Sequence, residues 1–236
     1  MIYLLGFLVE LGGLYFISRV VTQKLFTFFL LLFRHRSIAV SIVTVILFPG
    51  TIVHELAHLF TAEILGVRTG KLTLVPESIE EADIKTGSVQ IAKTDVFRRY
   101  AIGLAPLFVG LTTLVALSYI VFQQFNPSTW LRAGNITILT IVLMYLIFAI
   151  SNSMFSSPED LKGFLPFLIT IGILVGAAYF AGIRFMLTGQ ALEVTNTIVF
   201  SLVGSIGIVL ALNVLLLLLL RLLIDLMGKF FHRRVI

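Results

Sequence analysis

Pro49-Gly50-Thr51-Ile52-Val53-His54-Glu55-Leu56-Ala57-His58 is a His-Glu-x-x-His motif inside an apolar run, with Ser37–Phe48 before it and Leu59–Gly66 after it. On a helix, positions i and i+4 share a face, so His54 and His58 can present two imidazoles to one metal ion. Glu55 sits one step round, where it suits a general base toward metal-activated water better than a ligand. The plainer reading is a pair of helix-surface histidines with an incidental glutamate. Three ionisable groups at membrane depth weigh against it, because they are expensive without a function.

Composition gives the setting. Of 236 residues, 58% are hydrophobic and 12% charged, and the mean hydropathy is +1.07. That is more apolar surface than a soluble domain needs, so the chain reads as an all-α polytopic membrane protein. Residues 1–236 form one membrane domain, without room for a sizeable extramembrane module. The absence of cysteine excludes disulfides, thiolate catalysis and Cys-ligated zinc. The net charge of +5 lies in loops and tails, as expected beside anionic lipid. The expected partner is therefore a lipid bilayer, and not nucleic acid.

The first apolar segment, 2–18, is broken by Glu10. It lacks a basic leading region and a small-residue cleavage site, so it reads as a retained helix. Glu10 can line a cavity near the motif or turn toward the bundle or the headgroups. Leu25–Phe33, bracketed by basic residues, is too short to span and reads as an interfacial or re-entrant helix. The motif helix, 37–66, would run about 45 Å. Pro49 should kink it and free the carbonyl of Val45, with Gly50 adding slack. Residues 67–100 are polar, with alternating stretches Lys71–Val75 and Gly87–Ile91 around the acidic patch Glu77–Asp83. They predict a small β-hairpin near the site, whose edge could hold an extended peptide, or else a solvated loop. Spans at 101–122, 134–154, 164–183 and 196–228, the last followed by a basic tail to 236, bring the count to about six.

A catalytic zinc commonly takes three protein ligands and leaves one position open. Without cysteine, and with only His35 and His232 left over, the third ligand should be a carboxylate. Glu63 is excluded, lying about 140° round the helix from His58. Asp160 follows the fourth span, two crossings after the motif and so on the same side of the bilayer. Glu159 and the loop residues Glu77, Glu80 and Glu81 are alternatives. Ser157-Pro158-Glu159-Asp160 also makes a good helix start with Ser157 as N-cap, so capping competes with ligation.

These residues resemble the site-2 protease family of zinc-dependent intramembrane metalloproteases. That family pairs an H-E-x-x-H helix with a later span ending in a pattern like N-x-x-P-x-x-x-x-D-G, and Asn152 and Asp160 stand at that separation. The resemblance covers 37–165, the expected catalytic core. It implies His54, His58 and Asp160 as ligands of one Zn2+, Glu55 as the base, and Asn152 near the substrate or scissile carbonyl. Ala105-Pro106 only partly matches the family's Gly-Pro-x-x-Asn motif. Phe155, Leu161 and Val109 depart from the pattern at a proline, a glycine and an asparagine. The resemblance also places the site toward the cytosol, with both termini, loop 67–100 and loop 155–163 inside. Lys and Arg then divide ten inside against six outside, which favours that orientation.

The chemistry the resemblance implies is hydrolysis of a peptide bond in or near a membrane segment of another protein, so the expected partner besides the lipid bilayer is a membrane-protein substrate. Two alternatives come from different classes. One is a membrane-anchored peptidase trimming soluble tails with a loop glutamate as third ligand. The other is a transporter, channel or binding protein that keeps a metal site, in which Glu55 is dispensable.

Overall fold

Long apolar runs satisfy their own backbone polar groups only as helices, and the computed structural model of the chain is built almost wholly from them. In order come α1 (Ile2–Phe33), α2 (Arg36–Ile64), β1 (Thr69–Thr73), β2 (Ser88–Ile91), α3 (Val96–Gln124) and α4 (Ile138–Ser153). A 3-10 turn (Asp160–Gly163), α5 (Phe164–Phe180) and α6 (Gln190–Phe230) follow. The structure describes residues 2–74, 88–124, 138–155, 160–182 and 189–230. Among the described residues, four helices are long and apolar enough to cross a membrane, over Gly6–Phe33, Arg36–Ile64, Val96–Val121 and Ile198–Lys229; α4 is a shorter apolar helix.

α1 is one continuous helix of 32 residues, which corrects the expectation of a separate interfacial segment at Leu25–Phe33. No Gly or Pro falls between Leu14 and Phe33. The hydroxyls of Ser18, Thr22 and Thr27 donate back to carbonyls one turn earlier, at 3.0, 3.0 and 2.8 Å. Arg19 lies 5.1 Å over the Tyr15 ring, and Val21 and Leu25 are in the core. The basic residues therefore ride on a helix whose apolar face is already engaged.

α2 runs through Pro49 without interruption. Beside the proline, α4 packs closely on α2. A Cβ on Gly50 would overlap the Ala149 carbonyl and lie 2.6 Å from Ser153 Oγ. Ser153 donates to the Leu47 carbonyl at 3.3 Å and Tyr145 to that of Ile46 at 3.0 Å. Carbonyls next to the donor that Pro49 lacks thus gain donors from the neighbouring helix. Past its C-terminus, Gly66 takes φ +67°, and the Val67 N–H reaches back to the Ala62 carbonyl at 2.8 Å. This is a glycine-closed helix end with its usual hydrophobic contact. Ala62 and Val67 bury against Ile102 and so dock the start of α3 on the end of α2.

β1 and β2 pair antiparallel, with Thr69 opposite Ile91 and Thr73 opposite Ser88, and the ribbon packs on α2. Glu77, Glu80, Glu81, Glu159 and Ser157 lie outside the described residues, as does His232. His35 stands just before α2, at the far end of that helix from the motif.

Helices α1 to α4 alternate in direction, whereas α6 runs parallel to α1. Leu11 and Leu14 share a cluster with Ile206 and Val209, while Val21 and Leu25 share one with Leu220. The N-terminus and Lys229 consequently lie at opposite ends of the bundle, which corrects the expectation that both termini share a face. Lys229 thus moves to the other side of the charge division, which becomes nine against seven. All six expected helices are present. The helix expected at 164–183 is α5, 17 residues long. Glu10 is turned toward α6, with its Oε1 3.5 Å from where a Cβ on Gly207 would stand.

Candidate metal centre

α2 carries His54, Glu55 and His58 inward, at 4%, 3% and 6% exposure, while Glu63 one turn on is exposed. The burial follows from the helix's apolar stripe, since Val43, Leu47, Gly50 and Thr51 lie on the same inward side. The turn that Asp160 opens packs against α3. A Cβ on Gly103 would lie 3.3 Å from the Asp160 carbonyl oxygen, and one on Gly163 2.9 Å from the Tyr100 ring. Two glycines therefore admit the close approach that brings Asp160 over α2.

Three ligand-type atoms converge there. His54 Nε2 lies 3.1 Å and His58 Nε2 3.3 Å from Asp160 Oδ2, and the two Nε2 atoms are 3.2 Å apart. A tetrahedral ion at 2.0–2.1 Å from nitrogen and oxygen spaces its ligands about 3.3–3.4 Å apart. The triangle formed by the side chains is close to that spacing. His54, His58 and Asp160 can hold one metal ion. His58 Nδ1 donates to the Ile102 carbonyl at 2.9 Å, which leaves the Nε2 lone pair facing the other two atoms. Such a cluster of lone pairs calls for a cation. Burial alone would raise the pKa of Asp160, but the two imidazoles beside it outweigh that and hold the carboxyl down to about 2.

Glu55 Oε2 is buried without a hydrogen-bond partner among the described residues. Its carboxylate interacts electrostatically with His54, His58 and Asp160, so it stands beside the group without joining it. Asn152 lies apart from the three ligand-type atoms, deep between α4 and α6. Its amide nitrogen is 2.6 Å from Asn213 Oδ1. Of the departures from the family pattern, Val109 faces outward at 39% exposure and Phe155 packs edge-on against Tyr15 at 5.6 Å.

Sequence reasoning missed three contributors. The Ile102 carbonyl has no side-chain signature and could not have been read. Gly103, in the Gly-Leu-Ala-Pro opening of the third span, was visible as a glycine but not as a point of close approach. Asn213 carried a signal, a lone amide in a leucine-rich run, where polar groups at membrane depth mark structure or function. No protein-family model, curated protein or solved structure matches this chain.

Proposed function

We propose that the chain is an integral, multi-pass membrane metalloprotease similar to the site-2 proteases, cleaving a peptide bond in or near a transmembrane segment of another protein. The observation that carries this reading is the approach of His54 Nε2, His58 Nε2 and Asp160 Oδ2 to 3.1–3.3 Å, with Glu55 at the adjacent helix position and its Oε2 unpartnered among the described residues. The metal is proposed as one Zn2+, from the nitrogen and carboxylate donors and their spacing. When bound, it supplies a Lewis acid for the scissile carbonyl and for water.

The chain's own residues do the rest. Glu55 takes the proton of the attacking water and passes it to the leaving amine. Ile102 keeps the His58 ring in register, and Asp160 completes the donor set from the far side. A helical substrate hides its carbonyls in its own hydrogen bonds, so it must unwind before attack. Substrates with weak helices are preferred. By the family resemblance, the site end of the bundle faces the cytosol.

The test is Glu55→Gln in proteoliposomes containing a single-span substrate. Metal content stays at one equivalent while cleavage falls by at least about 10²-fold. Undiminished cleavage would remove Glu55 from the mechanism. Full function of some other kind in Glu55→Gln would favour a metal-holding transporter instead.

A further inference from the structure

The bundle end that holds the metal centre is ringed by cations. Arg68 follows α2, Lys93, Arg98 and Arg99 stand around the start of α3, and Lys162 lies in the 3-10 turn, all five exposed. Backbone contacts gather them. The Ala92 N–H donates to the Arg68 carbonyl at 3.0 Å, which brings Lys93 beside Arg68. Gly163 meets the Tyr100 ring, which brings Lys162 beside Arg99. Of the described acidic residues on these segments, Asp160 belongs to the metal centre and Asp95 is taken by Arg98 at 3.2 Å, which leaves Glu63. Arg68, Lys93, Arg99 and Lys162 form no salt bridge among the described residues. Ile64, Val96 and Phe97 are interleaved with these cations, at 84%, 65% and 78% exposure. Ile64 and Val96 are also the residues at which the apolar spans of α2 and α3 end. Cations mixed with exposed apolar side chains at the tips of spanning helices fit the boundary between lipid headgroups and acyl chains. A soluble polyanion would leave Ile64 and Phe97 in water.

We propose that this collar seats the phosphate of an anionic phospholipid between Arg99 and Lys162, and that the seated lipid holds the Asp160 turn on α3 and so tightens metal binding. The proposal rests on the group of His54, His58 and Asp160 as a metal centre, not on proteolysis. Arg99 and Lys162 each stand one residue from the contact of Tyr100 with Gly163. Their like charges oppose the closure of the turn on the helix. A phosphate accepting from both replaces that repulsion with two charge-assisted hydrogen bonds, one to each element. Both elements serve the metal. Asp160 opens the turn. Further along α3, the Ile102 carbonyl holds His58 Nδ1 at 2.9 Å, and Gly103 admits the Asp160 backbone.

The experiment reconstitutes the full chain in nanodiscs of phosphatidylcholine, alone or mixed with phosphatidylglycerol, and measures zinc affinity by chelator competition. An anionic surface gathers Zn2+ by itself, equally for every variant, so the quantity compared is the gain in affinity between the two membranes. Wild type gains about fivefold more than Arg99→Gln or Lys162→Gln, the attraction of one cation to an anionic surface. The double variant gains no less than either single one, because one phosphate bridges both residues. Arg36→Gln, at the opposite end of α2, gains as wild type does. Native mass spectrometry finds phosphatidylglycerol retained on wild type and lost from the Arg99 and Lys162 variants. Equal gains for wild type and these variants overturn the proposal, as does lipid retention that survives the substitutions. A variant that binds zinc more weakly already in phosphatidylcholine marks its residue as structural and also overturns it. If inorganic phosphate or a short oligonucleotide reproduces the gain in phosphatidylcholine, the collar takes a soluble anion and the lipid assignment falls. No zinc binding by wild type in either membrane sinks the metal centre, the protease reading and this proposal together, whereas equal gains sink this proposal alone.

Discussion

His58 Nδ1 lies 2.9 Å from the carbonyl oxygen of Ile102, and this bond sets which nitrogen of the ring is free. The carbonyl is where it is because the end of α2, closed by Gly66, buries Ala62 and Val67 against Ile102. A helix-capping device thus fixes a tautomer at the metal centre. The opposite side of the site is held just as indirectly, by glycines on α3 and beside Asp160 that let one backbone approach another.

The first prediction concerns the donor set. Adding zinc to the metal-free protein raises its melting temperature with concentration, by the equivalent of about 2.7 kcal/mol at a hundred times Kd. His54→Ala and Asp160→Ala abolish the shift, and Glu55→Gln keeps it. An undiminished shift in Asp160→Ala would exclude that residue as a ligand.

Much of this was legible in the residues, for physical reasons. The spacing of His54 and His58 fixes their common face on any helix, and apolar runs give little choice but helix. The antiparallel ribbon followed from alternation in Lys71–Val75 and Gly87–Ile91, although the strands fall at Thr69–Thr73 and Ser88–Ile91. Direction was not legible. Whether α6 runs with α1 or against it depends on which faces fit together, such as Gly13 against Leu210, and hydropathy is blind to that. The continuity of α1 past Arg19 was hidden likewise, because charge was read as a break while the backbone had no breaker.

Gly50 supplies the second prediction. A methyl group there would meet the Ala149 backbone and Ser153 Oγ, and backbone cannot rotate away. Gly50→Ala should cost about 1–3 kcal/mol, as overpacking does, and should lower metal occupancy, since α4 leads the chain to Asp160. Gly12→Ala is the control: nothing lies within 4 Å, and alanine's helix propensity makes it neutral or stabilising by up to about 1 kcal/mol. Equal melting temperatures for the two variants would show that α2 and α4 do not meet at Gly50.

The third prediction concerns the start of α3. Asp95 Oδ1 accepts the Arg98 N–H at 2.9 Å, and this bond, with the Arg98 guanidinium 3.2 Å from Oδ2, holds the carboxyl below its ordinary range. A depressed folded pKa means that the cap contributes above the unfolded value and is lost as pH falls through the folded one. At neutral pH, amides at the start of α3 should therefore be less protected from hydrogen exchange in Asp95→Ala than in the wild type. That difference should shrink on acidification below about pH 4. A pH-independent difference would assign the effect to packing instead.

Gly103 separates positioning from folding. Its Cβ position lies 3.3 Å from the Asp160 carbonyl oxygen and 3.7 Å from its Cα, tight enough that the turn must give by a few tenths of an ångström. Metal sites hold their ligand distances to within about 0.2 Å, so a shift of that size is felt at the ion. The helix itself loses nothing, because alanine is the better helix former by up to about 1 kcal/mol. Gly103→Ala should therefore weaken zinc binding about tenfold, the lower end of the range for residues that orient ligands, while the metal-free melting temperature stays level or rises. Chelator competition measures the first quantity and calorimetry of the stripped protein the second. A variant that binds zinc as tightly as wild type would mean that Asp160 does not depend on the close approach at Gly103.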